Sequence, residues 1–533
     1  MALSVSPKRQ GAICNRVKPK GSSNRLDAMR FTSAIAAAIL AYTQVAQAAA
    51  PEKPSVQAKN VIYIVPDGYG QASQTLARDL HSLQQTGSTH GKPEILSLAA
   101  DELVSGLVKT WAANNLITDS AASGTAFAAG HKSNNGAISV LPDGSPVGSI
   151  LEAAKLAGMR TALVVTSTIN HATPAVYASH TESRRSLDTI ADQEIGYSHP
   201  LGRMADILFG GGRCSFYPRG HSRSCRSDNV DLWKYAEEEG YYVARNLSDF
   251  EALDGGLSDA HLPWLGLFND GDLRYEIDRK VTKDEPSLLD MVKTALTRLD
   301  KATSCRNKGY FIMIEASRID HAGHANDAAA HAVDTLMYNT VMDYVREWID
   351  EHPDTIMMSA ADHECGGLTL NGYSPLRLSQ AKHSGEHIQS IWDNRPSGAD
   401  RRQFLVSEVL PAAGLEDATS AEINTILDAS SISGEALRLQ ARRAGVNWST
   451  GGHTGSDITL FGYAAEQQRR ALQADLSGVW DNTQLPRYIE KILGVDMDAV
   501  TQKLLSATQE DPSWLGKRGL EARMMNEELG HDH

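Results

Sequence analysis

The chain has 533 residues, enough for one large α/β domain with insertions, and no internal repeat, linker or long low-complexity tract divides it. Its formal charge is −14; residues 1–48 hold seven Lys/Arg and one Asp, so without them 44 basic residues face 64 acidic ones and the balance is −20. A body this acidic does not suggest a nucleic-acid binder, and an anionic substrate has to be drawn in by local positive charge, from metal ions or a placed arginine.

The first element is a targeting segment. Residues 8–30 are basic, 31–45 are rich in Ala, Ile and Leu, and Ala46-Gln47-Ala48 follows. Basic flank, apolar core and A-x-A form the pattern of a secretory signal peptide over 1–48, with Met29 as the more ordinary start. The alternative is an uncleaved anchor helix, which Thr32, Ser33, Thr43 and Gln44 weaken. The expected location is therefore secreted, periplasmic or cell-surface. Secretion gives the cysteines meaning. Cys14 leaves with the signal, and Cys214, Cys225, Cys305 and Cys365 allow three pairings. Cys214–Cys225 closes a short loop and is favoured, Cys305–Cys365 follows by elimination, and a zinc-ligand role is the alternative for Cys365. Asn246-Leu247-Ser248 and Asn447-Trp448-Ser449 match the glycosylation triplet, which matters only in a host that glycosylates.

Asn60 to Val65 reads as a strand buried on both faces, ending in Pro66-Asp67-Gly68. Asp67 then stands at the carboxyl edge of the strand, where open α/β sheets bind ligands. Residues 107–115 alternate like a strand. Past them Thr118-Asp119-Ser120-Ala121-Ala122-Ser123 reads as a helix start, so Ser120 is either an N-cap or a nucleophile facing the positive end of a helix. A helix over 147–158 and a strand over 161–168 give the β–α–β cadence of a parallel sheet. That strand runs into His171-Ala172-Thr173-Pro174, where the proline stops it. Arg184 follows, a side chain suited to bidentate binding of a tetrahedral oxyanion.

Residues 206–212 make a strand with a Gly-rich turn that lacks the Lys-Ser/Thr of a phosphate loop. Residues 228–240 and 287–300 read as helices, and 309–314 as a buried strand ending at Glu315. The next ten residues are the densest chemistry in the chain. Asp320 and His324, four apart, share a helix face and suit zinc, whereas Glu315 suits a hard ion such as magnesium. A strand over 354–359 leads to Asp362-His363, and His453-Thr454-Gly455 precedes a strand at 458–463. Acids and histidines thus recur at strand ends, which a set of ordinary core histidines does not explain.

Taken in order, Asp67, Asp119-Ser120-Ala121, His171-Ala172-Thr173-Pro174, Arg184, Glu315…Asp320…His324, Asp362-His363 and His453-Thr454-Gly455 resemble the alkaline phosphatase family, in its eukaryotic form, over about 60–463. The resemblance implies a three-layer αβα fold with a large, mostly parallel central sheet. The sequence from Asp475 to the end reads as helices with a polar tail, set at 501–533; the resemblance also implies a catalytic domain at 56–500 containing a crown-like insertion at 371–450, and a homodimer. It implies two zinc ions and one magnesium: the first zinc on Asp320, His324 and His453, the second on Asp67, Asp362, His363 and Ser120, the magnesium near Asp67, Thr173 and Glu315. Ser120 would form a phosphoserine, Arg184 would grip the phosphoryl oxygens, and Asp119, His171 and His321 would support the site. Histidines at 171 and 321 depart from the best-known bacterial pattern and resemble the animal enzymes, which leaves the third metal open between magnesium and zinc. The substrates implied are small phosphate monoesters, with inorganic phosphate as product.

Other readings remain at this point. A sulfatase needs Cys/Ser-x-Pro-x-Arg at its nucleophile, but Ser120 is followed by Ala-Ala-Ser. Phosphodiesterases of the same superfamily usually carry a threonine there and lack an arginine like Arg184. A non-catalytic phosphate- or metal-binding surface protein would have no use for an intact Ser120 among a full set of ligands.

Overall fold

The computed structural model describes residues 56–87, 94–304 and 308–516. Asn60–Val65, apolar after its first position, forms β1 and is buried from Val61 onward. The other strands in chain order are β2 Val104–Lys109, β3 Arg160–Thr168, β4 Ile207–Gly211, β5 Tyr242–Ala244, β6 Trp264–Leu267, β7 Tyr310–Glu315, β8 Thr355–Ala360, β9 Glu364–Cys365, β10 Leu368–Leu370, β11 Val446–Trp448, β12 His453–Thr454, β13 Ile458–Ala464 and β14 Gly478–Asp481. Ten of them form one sheet, ordered β14-β2-β13-β8-β1-β7-β3-β4-β6-β5. Every neighbouring pair is parallel except those of β13, which runs antiparallel to β2 and β8. Helices flank the sheet to give a three-layer α/β architecture, as parallel strands buried on both faces require.

Four adjacent parallel strands, β8, β1, β7 and β3, set the position of the chemistry. Val65 pairs with Glu315, and Val165 with the same residue from the other side. Their carboxyl ends therefore open on one edge of the sheet. The late strand β13 lies against β8, and the two-residue ladder of β12 with β9 pairs His453 with Cys365 directly after Asp362-His363. A residue from near the end of the chain thus joins the edge built by earlier strands.

Local chemistry moves several boundaries inward. The helix expected from 147 is Ile150–Leu156, capped by Ser149 in a capping box with Glu152, and the one expected from 228 is Leu232–Glu238, capped by Asp231. The strand expected over 107–115 is β2, which ends at Lys109, and a loop carries the chain on to Ser120. Between β10 and β11, paired antiparallel as a neck, the chain folds into short helices whose Ile388, Trp392, Leu405, Val409, Ile426 and Leu439 form a hydrophobic cluster of their own.

Two expectations need correction. A polar tail from 501 is not what forms: helix Met497–Glu510 runs through that point and buries Met497, Val500 and Leu504, and Trp514 and Leu515 sink into the main core. Trp514 lies against the rings of His180 and His199, and its carbonyl accepts from Gln193 Nε2 at 2.7 Å. Residues 517–533 and the expected signal at 1–48 lie outside the described residues. Cys214 and Cys225 are bonded, but Cys365 is a free, buried thiol, and Cys305 lies outside the described residues. Cys365 does not form the pairing reached by elimination because β9 places it at the ligand-bearing edge, opposite His453 and packed on Gly323. Among the described residues, no helix is long and apolar enough to cross a membrane.

Glu152 ties these elements together. One carboxylate oxygen accepts from Ser149 N at 2.7 Å, and the other meets His180 Nε2 at 2.9 Å and His199 Nε2 at 2.8 Å. Burial opposes its charge, yet His180 and His199 hold it well below the usual carboxylate range. Glu152→Gln should destabilise the fold by about 3 kcal/mol near neutrality, the scale for breaking a buried charged pair. Because the folded carboxylate is the more acidic, its contribution is present above the unfolded pKa of about 4.3 and fades as pH falls below it. Thermal melts across pH should therefore show the wild-type advantage narrowing in acid.

Candidate active site

Asp67 follows β1, Glu315 ends β7, Asp362 and His363 follow β8, and His171 and Thr173 come after β3, Thr173 within helix Ala172–Ala178. Asp320 and His324 share a face of helix Arg318–His324, and His453 lies on β12. Ser120 is the first residue of helix Ser120–Ala129. Asp119 is the cap and accepts from Ala122 N at 2.9 Å, which leaves the Ser120 hydroxyl clear of capping. Its Oγ lies 3.2 Å from His363 Nε2.

The ligand candidates gather in three overlapping groups, each with its donor atoms within 4.8 Å of one another: Asp320, His324, Cys365 and His453; Asp67, Asp320 and His363; Asp67, His171 and Glu315. Asp362 Oδ2 joins the second at 3.2 Å from His363 Nε2. In the first, His324 Nε2 is 3.2 Å from Asp320 Oδ2 and 3.2 Å from His453 Nε2. His324 Nδ1 donates to Gly451 O at 2.7 Å and His453 Nδ1 to Thr118 O at 2.8 Å. Those carbonyls fix the tautomer that turns each Nε2 lone pair into the site, as imidazole ligands of a metal require. Asp67, Glu315, Asp320, His324, Asp362, His363 and His453 thus meet at one edge, together with Cys365, whose burial, with Asp320 nearby, drives its thiol far above the ordinary range and keeps it neutral.

Whether these residues fit metal ions is decided by their unanswered polar atoms. Both oxygens of Asp67, Glu315 Oε1, Asp320 Oδ1, Asp362 Oδ2, Thr173 Oγ1, His363 Nδ1 and His171 Nδ1 are buried with no hydrogen-bond partner. Burial, followed by the charges of Asp362, Asp320 and Glu315, pushes Asp67 well above the usual carboxylate range, and burial raises Glu315 to about 7. Burial also lowers His363 to about 4 and His453 to about 3, so both imidazoles are neutral ligands. Burial alone would raise Asp320, but His324 and then His453 and His363 pull it well down. Burial opposes the charge on His324, but Asp320 and Gly451 O raise it to about 9, so it answers Asp320 alone; the other three buried carboxylates are the arrangement that bound cations relieve. The donor set fits the group: imidazole with carboxylate for zinc, and oxygen-rich Asp67, Thr173 and Glu315 for a harder ion.

Arg184 forms the outer wall. Nη1 donates to Asp119 Oδ2 at 3.1 Å, which also accepts from Gly136 N, and Nη2 stands 3.3 Å from His171 Nε2. Burial, with Arg184 beside it, lowers His171 to about 3. The His171 and His321 rings meet edge to face at 5.5 Å. Sequence reasoning missed what lies behind His321. Buried Arg318 stacks on Tyr275 at 3.8 Å, donates to His321 Nδ1 at 2.9 Å and to Asp272 Oδ2 at 3.1 Å, and pairs with Glu386 of the insertion. Asp272 also accepts from Thr168 N at the end of β3. Arg318 lies inside the acid- and histidine-rich stretch, but nothing in the sequence announces Asp272 or Glu386 as its partners.

A serine at a helix start, aimed into buried carboxylates and imidazoles at the carboxyl edge of a parallel sheet, defines a metal-dependent hydrolase centre. The sequence model described as "Alkaline phosphatase" matches residues 58–495. Similar proteins include the alkaline phosphatase of Schizosaccharomyces pombe, 37% identical over 475 residues, covering 86% of this chain and 84% of that protein. The repressible alkaline phosphatase of Saccharomyces cerevisiae is 36% identical, covering 83% and 82%. The crystal structure of Thermus thermophilus alkaline phosphatase superposes with a TM-score of 0.72 at 27% identity, covering 87% of this chain and 98% of that one. The chain belongs to the alkaline phosphatase family and is an enzyme, a phosphoric monoester hydrolase of a metal-dependent family.

Gly68 leaves no room for a side chain at this edge. Its φ is +69°, and a Cβ there would lie 2.6 Å from Asp320 Cα and Oδ1. Gly68→Ala should cost about 1–3 kcal/mol in backbone strain and push Asp320 out of place. The expected result is a lower melting temperature together with reduced bound metal, read by elemental analysis of the purified protein.

Proposed function

We propose that the chain hydrolyses small phosphate monoesters through a covalent phosphoserine on Ser120, releasing inorganic phosphate, with two zinc ions and one magnesium. The observation that carries the reading is the Ser120 hydroxyl, 3.2 Å from His363 Nε2 and surrounded by buried carboxylate oxygens that no protein group answers. Asp320, His324 and His453 would hold the first zinc; Asp67, Asp362, His363 and Ser120 the second; Asp67, Thr173 and Glu315 the magnesium, with His171 Nδ1 in reach as a further donor. When bound, these ions supply the positive charge that acidifies the Ser120 hydroxyl, stabilises the leaving oxygen and activates water for the second step.

The remaining work falls to the chain. Arg184, held between Asp119 and His171, is pre-oriented to receive two phosphoryl oxygens at low entropic cost. Ser120 Oγ attacks phosphorus in line, the P–O bond to the alcohol breaks, and the alcohol departs. Water then attacks phosphorus from the opposite side, the P–O bond to Ser120 breaks, and phosphate leaves. His321 accepts from Arg318 at Nδ1, so its Nε2–H is free to meet the phosphoryl group through water. The small side chains after Ser120 and the helix N-terminus support an anion there.

Secretion to the periplasm, surface or medium agrees with the Cys214–Cys225 bond, which belongs to an oxidising compartment. A homodimer with the insertion at the entrance is the arrangement we assign, and the acidic balance speaks against nucleic acid as a partner.

Initial rates on a chromogenic monoester, the matching diester and the matching sulfate test the reading. Monoester turnover should dominate, disappear on chelation, return with zinc and rise further with magnesium. Ser120→Ala should lose at least about 10³-fold in kcat, the scale of a removed nucleophile, while its metal content is unchanged. Arg184→Ala should lose about 10²-fold in kcat/KM, as expected for charge-assisted hydrogen bonds to a transferred group. Preference for the diester or sulfate, or full monoester turnover by Ser120→Ala, would overturn it.

A further inference from the structure

Among the described residues outside the active site, two groups of histidines and acids lie close enough together to hold an ion. In Glu152, His180 and His199 the protein satisfies each donor: His180 Nδ1 meets Ser139 O, His199 Nδ1 accepts from Leu201 N, and both Nε2 atoms meet Glu152. That group is a structural tie.

The second group differs. Asp278, on helix Glu276–Thr282, is buried, while His383 and His387 flank the start of helix Gly385–Asp393 in the insertion. Their donor atoms lie within 4.8 Å of one another. Asp278 Oδ1 is 2.9 Å from His383 Nδ1 and accepts from Ser384 N at 3.2 Å, so the carboxylate is already aimed. The two imidazoles stack with centroids 4.0 Å apart and planes 19° from parallel. Among the described residues neither ring nitrogen of His387 has a hydrogen-bond partner, and His383 uses only Nδ1. Burial, then the neighbouring His383, lowers the His387 pKa, which keeps its lone pair available. The basic side chains around it have partners of their own: Arg274 is engaged by Asp284, and Arg279 and Lys280 by Glu276.

We propose that Asp278, His383 and His387 form a further metal site, for zinc or a similar divalent transition ion, that fastens the insertion to the catalytic body. Two imidazoles and one carboxylate are the donor set zinc prefers, with solvent to complete it. An ion held there joins a helix of the main body to helix Gly385–Asp393, which carries Ile388 and Trp392 into the insertion's own core. Glu386 of that same helix pairs with Arg318, which positions His321, so the clamp also bears on the wall of the active site.

The test uses the whole enzyme. Crystals of the wild-type protein grown with zinc should give an anomalous difference peak at the zinc edge between Asp278, His383 and His387, read separately from any peaks beside Ser120. In solution, after dialysis against the same zinc and magnesium buffer, the His383→Ala/His387→Ala double variant should hold one zinc fewer per chain than wild type. Absence of the anomalous peak, or equal metal counts in the two proteins, would overturn the assignment. Should the double variant fail to fold, His387→Gln takes its place in the metal count, and the wild-type crystal decides regardless.

Discussion

Everything at the carboxyl edge of this sheet depends on one electrostatic constraint: Asp67, Glu315, Asp320 and Asp362 are buried together with oxygens that no protein donor answers. Leaving such charges unpaired costs several kcal/mol each, more than a domain can absorb from a margin of about 5–15 kcal/mol. Protein cations do not relieve it. Arg184 is committed to Asp119, and Arg318 to Asp272 and Glu386. Burial holds His363 and His453 neutral, and His324, which Asp320 raises to about 9 against the effect of burial, is one partial counter-charge among four carboxylates. Bound cations answer that constraint, and the Ser120 hydroxyl lies beside the same cluster, 3.2 Å from His363 Nε2. On the function proposed above, the interaction that stabilises the edge would also drive the reaction.

That constraint explains why the site was so legible in the sequence. Strands buried on both faces have to be runs such as Val61 to Val65, and a carboxylate directly after such a run can only be at the sheet edge. Asp67, Glu315 and Asp362 were readable for this reason, as was the helical spacing of Asp320 and His324. The order and wording of the motifs then carried the resemblance, and the family comparison agrees with it.

What escaped the sequence lies in pairings between distant segments. Nothing local indicates that β13, near the end of the chain, is the antiparallel member beside β8, or that β12 lays His453 against Cys365. Counting cysteines assumed that each seeks a partner, whereas Cys365 fills space against Gly323. The boundary at 501 failed because polar residues dominate the surface of helix Met497–Glu510 while three apolar positions on its other face bury it. Arg318 was visible, but its network of Tyr275, Asp272, His321 and Glu386 spans more than a hundred residues. That network links the insertion to the catalytic wall, and it adds a structural route by which the insertion can bear on the site.

Whether the buried carboxylates need their cations is tested most directly by the melting temperature of wild-type protein before and after complete metal removal, with the metal content determined on the same samples. Stripping the metal should lower the melting temperature steeply, restoring zinc and magnesium should recover it, and the recovered protein should hold at least three ions per chain. A metal-free protein that melts at the temperature of the loaded one would contradict that need, because the cluster would then be stable by means the structure does not contain.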